Sequence, residues 1–417
     1  MNTATLYNEK KKTIGPKLRF QEFNNEWTKI KLGDLLTFKN GLNSDKEKYG
    51  KGIKFINVLD ILNNNFITYD KILGSVEVTE KEFEKNEVSY GDILFQRSSE
   101  TRAEVGQANV YLDRDKSSVF GGFVIRGKAK YEYNPLFMNY LLRTPIARKE
   151  ITDKSGGSTR YNVGQDTLSQ VQLTTTTIFE QQKIASFLSA VDEKIQLLSR
   201  KKELLEQYKK GIMQQLLSGK LRFKDENGKD YPDWEEKKLG EVGKIVTGST
   251  PPTSISEYYN GNQLFVSPVD INGSRFVMDT KTKLTDLGFE KGRKLKKGAV
   301  LFVCIGSTIG KVAVAGFDCI TNQQINAIEA NFFNYNDFIY SLLELNSSNI
   351  KLLAGVQAVP QINKTDFSNF KFMFPSIQEQ QKIANFLSSI DTKIEITNKQ
   401  ISQAQTFKKG LLQQMFV

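Results

Sequence analysis

The stretch GSTIGKV at 306–312 has the plainest chemical look in this sequence. It puts two glycines, two hydroxyls and a lysine into one short turn, the kind of set that cradles a phosphate. The spacing argues against a nucleotide. A phosphate loop needs four residues between its glycines and Ser or Thr after its lysine. Here three residues separate Gly306 from Gly310, and Val312 follows Lys311. What remains is a glycine-rich turn between strands, or such a turn presenting Ser307, Thr308 and Lys311 to a polyanion.

Other chemistries fall away by residue type. Histidine is absent, which removes Ser–His–Asp and Cys–His catalysis, imidazole acid–base work and histidine metal sites together. Cys304 and Cys319 are the only cysteines, too few for a zinc site without histidine. Cys304 lies in the apolar run AVLFVCIG and reads as a core residue. No disulfide framework is implied, so a reducing cytoplasm fits. The opening MNTATLYNEKKK lacks the apolar centre of a signal peptide, and no apolar run approaches the ~20 residues that cross a bilayer. Neither a methyltransferase motif nor a nuclease-type acidic cluster with a following lysine is visible, so no catalytic residue and no metal ligand is assigned.

The net charge of +11 favours polyanionic partners, nucleic acid foremost, or else a merely solvated surface. Polar loops recur at matched places. TFKNGLNS (37–44) corresponds to VTGSTPPTS (246–254), QRSSETRAEVGQ (96–107) to IGSTIGKVAV (305–314), and GGSTRYNVGQ (156–165) to GVQAVPQINK (355–364). Arginine is the favoured bidentate reader of guanine, and Asn or Gln of adenine, while Lys, Ser and Thr more often hold phosphates. The candidate DNA contacts are therefore Lys39, Asn40, Arg97, Arg102, Arg160 and Tyr161 in the first set. In the second they are Ser249, Thr250, Ser307, Thr308, Lys311, Gln357 and Gln361. Arg97, Arg102 and Arg160, and in the second set Gln357, Gln361 and Lys311, are the candidates for base edges. The stretch TNQQIN (321–326) is open between turn structure and recognition.

The loops are carried by a chain written twice. EQQKIASFLS (180–189) returns as EQQKIANFLS (379–388), and about 18 of 41 positions match between 178–218 and 377–417. KLRF recurs at 17–20 and 220–223, WTKIKLGDL at 27–35 answers WEEKKLGEV at 234–242, and GDILF at 91–95 answers GAVLF at 298–302. A period this long means two domains rather than a solenoid. The expected order is an extension over 1–15, a head over 16–177, a helix over 178–218, a second head over 219–376 and a second helix over 377–417.

Each repeated segment opens on a capping box, Thr177 with Glu180 and Ser376 with Glu379. Apolar residues then follow a four–three rhythm: Ile184, Leu188, Val191, Ile195, Leu198, Leu205, Ile212 and Leu216, then Ile383, Leu387, Ile390, Ile394, Ile401, Leu411 and Met415. Lys202, Lys209, Thr397, Ala404 and Lys408 interrupt the stripe. This is a coiled-coil seam on helices of about 60 Å. If the two stripes bury each other, connectivity makes the pair antiparallel with one head at each end, related by an approximate two-fold. Helices that pack on their own heads, or that pair between chains, remain alternatives. The heads read as mixed, with strands in GDILFQR, SSVFGGFVIRG, KGAVLFVCIG, KVAVAGF and NAIEANF, and helices in NPLFMNYLLRTPIARKEI and YNDFIYSLLELNSSNIKLL. The fold class is α+β.

IFEQQKIASFLSAVDEKI and IQEQQKIANFLSSIDTKI, each following a variable head, together with LGEVGKIVTGSTPPTS, STIGKVAV and TNQQINAI, resemble the DNA-specificity subunit of bacterial type I restriction–modification systems. The resemblance runs over nearly the whole chain after about residue 16. The first head departs from the family wording with TFKNGLNSDKE and SSETRAEVGQ. The resemblance implies that each head is a target-recognition domain for one half of a split DNA site, and that the helices are the spacer between halves. It implies two methyltransferase subunits docked on this chain, and two motor–nuclease subunits added for restriction. S-adenosylmethionine would belong to the methyltransferase, and ATP and Mg²⁺ to the motor. The modified base would be an adenine, methylated at N6 after leaving the stack. This chain would be a non-catalytic reader. The rival readings are a tandem-domain DNA-binding regulator acting alone and a coiled-coil adaptor that joins chains.

Overall fold

Short runs of β-branched and aromatic residues become strands where Gly and Asp end them. GDILFQR yields Ile93–Gln96, KGAVLFVCIG yields Val300–Val303, and NAIEANF supplies all but the first residue of Ile325–Ala330. The run NPLFMNYLLRTPIARKEI forms two helices, Pro135–Leu142 and Pro145–Asp153, because Pro145 has no N–H for the first helix and begins the second, with Thr144 as its cap. The computed structural model describes residues 14–353 and 361–417. The chain divides into two units. Unit 1 holds the residues up to Leu197 together with Ile401–Val417, and unit 2 holds Leu198–Gln400.

Unit 1 has an antiparallel four-stranded sheet in the order Leu36–Asn40, Val124–Ala129, Ile93–Gln96, Ala108–Val110. Beside it lie a three-stranded sheet centred on Tyr49–Ile56 and a pairing of Thr28–Lys31 with Gln172–Thr175. Unit 2 repeats the plan. Gly243–Thr247, Ile325–Ala330, Val300–Val303, Val312–Ala315 and Phe276–Val277 form a five-stranded sheet. Its three-stranded partner is centred on Tyr259–Val266, and Glu235–Lys238 pairs with Lys371–Phe374.

The first long helix spans Ile178–Leu217 and the second Ile377–Gln414. Gly219, at φ +72°, gives the left-handed residue that ends the first. Each unit contains part of both helices, and within each unit they run antiparallel. In unit 2, Lys202 donates to Asn398 at 3.2 Å; seven residues on (202 to 209) and seven back (398 to 391), Lys209 meets Asp391 at 2.8 Å. In unit 1, Asp192 of the first helix meets Lys408 of the second at 2.6 Å. Ile184 and Leu188 share one core with Leu411, Met415 and Phe416, and with Trp27 and Phe137 of the head. In unit 2, Met213, Leu216 and Leu217 share a core with Ile383, Leu387 and Ile390. Val191 and Ile394 pack on the edges of these cores, and Ile195, Leu198, Leu205 and Ile401 are half-buried.

Three sequence expectations change here. Lys209 and Lys408 are not gaps in the seam. Each lysine is half-buried and answered by an aspartate of the opposite helix, Asp391 or Asp192, and Lys209 also bonds Glu344 at 2.8 Å. Burial pushes the Lys209 pKa down, but Glu344 and Asp391 outweigh it and hold it above the usual lysine value. Thr397, the third interruption, is fully buried, with its hydroxyl returned to the Lys393 carbonyl at 2.7 Å. The glutamates assigned to capping boxes are used otherwise. Glu180 takes a two-pronged bond from Arg19 at 2.7 Å, and Glu379 takes one from Arg222 at 2.8–3.0 Å plus the Trp234 indole at 3.2 Å. The repeated KLRF thus clasps the repeated EQQKI, and Phe20 on Phe187 and Phe223 on Phe386 complete each clasp edge-to-face. A buried carboxylate so close to guanidinium is better satisfied there than by its own helix start.

Candidate nucleic-acid interface

The matched loops of each unit meet at a glycine crossing. In unit 1, Gly41 lies against Gly121: a Cβ added at Gly41 would stand 2.2 Å from the Gly121 carbonyl oxygen. The Gly41 N–H donates to Val124 O at 3.2 Å, and the Leu42 N–H to Phe120 O at 3.0 Å. In unit 2, Gly248 crosses Asn322 in the same way, with a hypothetical Cβ 2.1 Å from the carbonyl. Its N–H donates to Ile325 O at 3.0 Å, and the Ser249 N–H to Thr321 O at 2.8 Å. Only glycine allows two backbones so near each other. Two weakly similar heads therefore keep one backbone junction and hang different side chains on it.

The unit 1 side chains gather as follows. Arg97 follows the strand Ile93–Gln96; its N–H donates to Phe123 O at 2.9 Å and its carbonyl accepts from Val163 N–H at 3.0 Å. Its exposed guanidinium donates from Nη1 to Gly122 O at 3.3 Å. Ser98 and Ser99 pair with Asn162 and Tyr161, so the loop with exposed Arg160 and half-buried Tyr161 joins the same cluster. Exposed Asn40 adjoins the crossing. Lys39 and Arg102 are held elsewhere. Lys39 donates to the Lys85 carbonyl and Arg126 to the Glu87 carbonyl, so two cations satisfy the end of the helix Glu80–Asn86. Burial, followed by the charges of Arg126 and Lys85, lowers the Lys39 pKa. Arg102 donates to Thr152 O at 3.1 Å and lies 3.9 Å from Asp153.

In unit 2, Thr250 donates to Gln323 at 2.6 Å, and Asn322 and Gln324 bond each other at 2.9 and 3.1 Å. TNQQIN is thus a knitted turn that leaves Gln323 exposed. GSTIGKV is a turn with Gly306 and Gly310 in the left-handed region, Ser307 exposed, Thr308 half-buried, and Lys311 reaching Pro268 O at 3.4 Å. Gln361 bridges Ile305, and Ile362 N–H donates to Cys304 O at 2.8 Å, joining that loop to the turn. Gln357 lies outside the described residues. Both cysteines are buried, and burial pushes each thiol up to about 12, away from nucleophile chemistry. Among the described residues no group of His, Cys, Asp and Glu could hold a metal ion, and no helix is long and apolar enough to cross a membrane.

A family model described as the type I restriction modification DNA specificity domain matches this chain twice, over residues 24–207 and 231–406. The chain belongs to that family. A Methanocaldococcus jannaschii chain provisionally named the MjaX specificity subunit of a type I restriction enzyme is 26% identical over 97% of this chain and 95% of its own length. The type I restriction enzyme HindI specificity subunit of Haemophilus influenzae is 24% identical over 91% and 96%. The crystal structure of the type I restriction–modification S subunit from M. genitalium covers 97% of this chain and 99% of its own, with TM-score 0.62 and 18% identity, and so shares the fold.

In this specificity-family chain, one residue at the unit 2 crossing escaped the sequence reading. The Arg293 N–H donates to Ser249 Oγ at 3.1 Å, and its Nη1 donates to Thr247 O at 2.8 Å. The signal was FEKGR (289–293): FEK stands also at 83–85 of the first head, in both places four residues after a helix-capping threonine, but no arginine follows it there.

Proposed function

We propose that this chain is the sequence-reading subunit of a type I restriction–modification enzyme. Each unit reads one half of a split DNA site, and the assembled chain scaffolds two methyltransferase subunits for adenine methylation and two motor–nuclease subunits for restriction. The observation that carries this is the twice-built glycine crossing. Both units present exposed arginine, amide and hydroxyl groups from the same backbone junction, with different residues in each, as two readers of unlike half-sites require. The family match supports the role, and the two relatives described above are named as specificity subunits of type I restriction enzymes. The chemistry falls to the partners: S-adenosylmethionine to the methyltransferase, ATP and Mg²⁺ to the motor, all in the cytoplasm. This chain supplies position alone.

Co-expression with the methyltransferase subunits of the same system tests the reading. The chain is expected to co-purify with them, and mapping modified adenines should yield one motif in two parts with unread bases between. A contiguous motif, or no modification by a complex that assembles, would contradict it.

A further inference from the structure

The two units solve the supply of arginine at the crossing differently. In unit 1 it comes from the strand end: Arg97 follows GDILFQ. The matching residue after GAVLFV is Cys304, and the backbone bonds agree. Arg97 N–H donates to Phe123 O and Val163 N–H to Arg97 O, while Cys304 N–H donates to Gln324 O and Ile362 N–H to Cys304 O. Cys304 is 1% exposed, its sulfur accepting from Asn326 at 3.2 Å, so that position cannot face a ligand.

Arg293 arrives from another segment. It stands between the short helix Asp286–Phe289 and Leu295, which exchanges bonds with Cys319 at 2.8 and 3.0 Å. Gly292 before it lies so close to Ile320 that a Cβ would come within 2.2 Å of the side chain. The backbone carrying Arg293 is therefore pinned on both sides. Its counterpart in unit 1 is Asn86, two before Val88, whose bridge to Ser118 answers that of Leu295 to Cys319; Asn86 is buried and bonded to Glu82 O. Each unit thus has arginine at one of the two places and a buried, unrelated residue at the other.

Both guanidinium groups are tied to the crossing by Nη1, though to different segments of it: Arg97 donates to Gly122 O, beside Gly121, and Arg293 to Thr247 O, beside Gly248. In each, the Nε–Nη2 edge makes no bond to a described residue, and neither arginine has a carboxylate partner among them. That edge is the one that makes two parallel bonds to a planar acceptor pair. Arg222 and Arg275 of unit 2 are spent on carboxylates, Glu379 for one and Asp337 with Asp391 for the other.

We infer that Arg293 is the specificity-determining arginine of unit 2, counterpart of Arg97, and reads the O6/N7 edge of a guanine in the half-site of that unit. This rests on the function proposed above. A preoriented fork against a base edge gives discrimination at one base pair, whereas a phosphate contact gives affinity without sequence.

The test uses the full chain co-expressed with the methyltransferase, with Arg293→Ala and Arg293→Lys compared with the wild type for methylation motif and for the salt dependence of DNA binding. Arg293→Lys keeps the charge and the fold but loses the fork. Both variants should accept other bases at one position of one half-site, with discrimination there falling about ten-fold or more, the other half unchanged. An unchanged motif would overturn the inference. So would Arg293→Ala weakening all sites alike, with the salt slope lower by about one, while Arg293→Lys behaves as wild type; that result makes the residue a phosphate clamp. A wild-type complex without a split motif would remove the reading beneath it, and is recognised because it precedes any variant.

Discussion

At the level of single residues, the Arg19–Glu180 clasp shows how much a repeat can hide. Burial alone would raise the Glu180 carboxyl; the bonds from Arg19 and Thr176 and the Arg19 charge outweigh it and hold the carboxyl below its usual range. A group whose folded pKa is depressed adds stability that is complete above its unfolded pKa and is lost as pH falls through the folded value. The clasp therefore lets go only in acid. Glu180→Gln should cost unit 1 about 2 kcal/mol at neutral pH, since it leaves a partly buried guanidinium without its partner. Urea unfolding at several pH values checks this: the gap to wild type should close as pH drops below the ordinary carboxylate range. Equal stability at pH 7, or a gap constant into acid, would count against the clasp. The sequence displayed both KLRF and both EQQKI stretches, yet not that they touch, because a local helix signal, the capping box, accounted for the glutamate first. Arg97 was legible as an arginine in a matched loop. Arg293 was not, because reading by matched positions looks where the twin stands, and there it finds Cys304.

Among the elements, the seam of the long helices was the most legible feature, since a four–three rhythm over forty positions survives any local ambiguity. Its polar breaks were misread because a sequence shows one helix at a time. A lysine at a core position looks like a fault until the opposite aspartate is in view. Buried ion pairs of this sort contribute little net stability but exclude wrong registers, where a charge would face an apolar side chain. Lys209→Asp alone sets like charges together and should lower the stability of unit 2 by about 3 kcal/mol. Combined with Asp391→Lys, part of the loss should return, the remainder reflecting the new carboxylate at 209 against Glu344 and the new ammonium at 391 against Arg275. Thermal unfolding of the single and double variants gives the coupling. No recovery in the double variant would mean that the pair does not set the register. The loops were less legible than the strands and helices, because Lys39, Arg102 and Arg97 look alike in the sequence. Only the carbonyls they meet separate a helix-end clamp from an open guanidinium.

Over the molecule as a whole, replacing residues 220–376 with the corresponding head of another family member should alter one half of the methylated motif and leave the other. Motif mapping reads the outcome, and a change in both halves would refute independent reading. The donor head must bring its own Arg222 and Trp234 equivalents, since both bond Glu379. The division of the chain carries a further consequence for its synthesis. Unit 2 is one uninterrupted stretch, while the core of unit 1 takes Leu411, Met415 and Phe416 alongside Trp27 and Phe137. Domains generally fold as they leave the ribosome. Here the head translated first lacks one wall of its interior until residues 411–416 emerge, after the last residue of the later unit has been made. The order of birth and the order of completion are reversed.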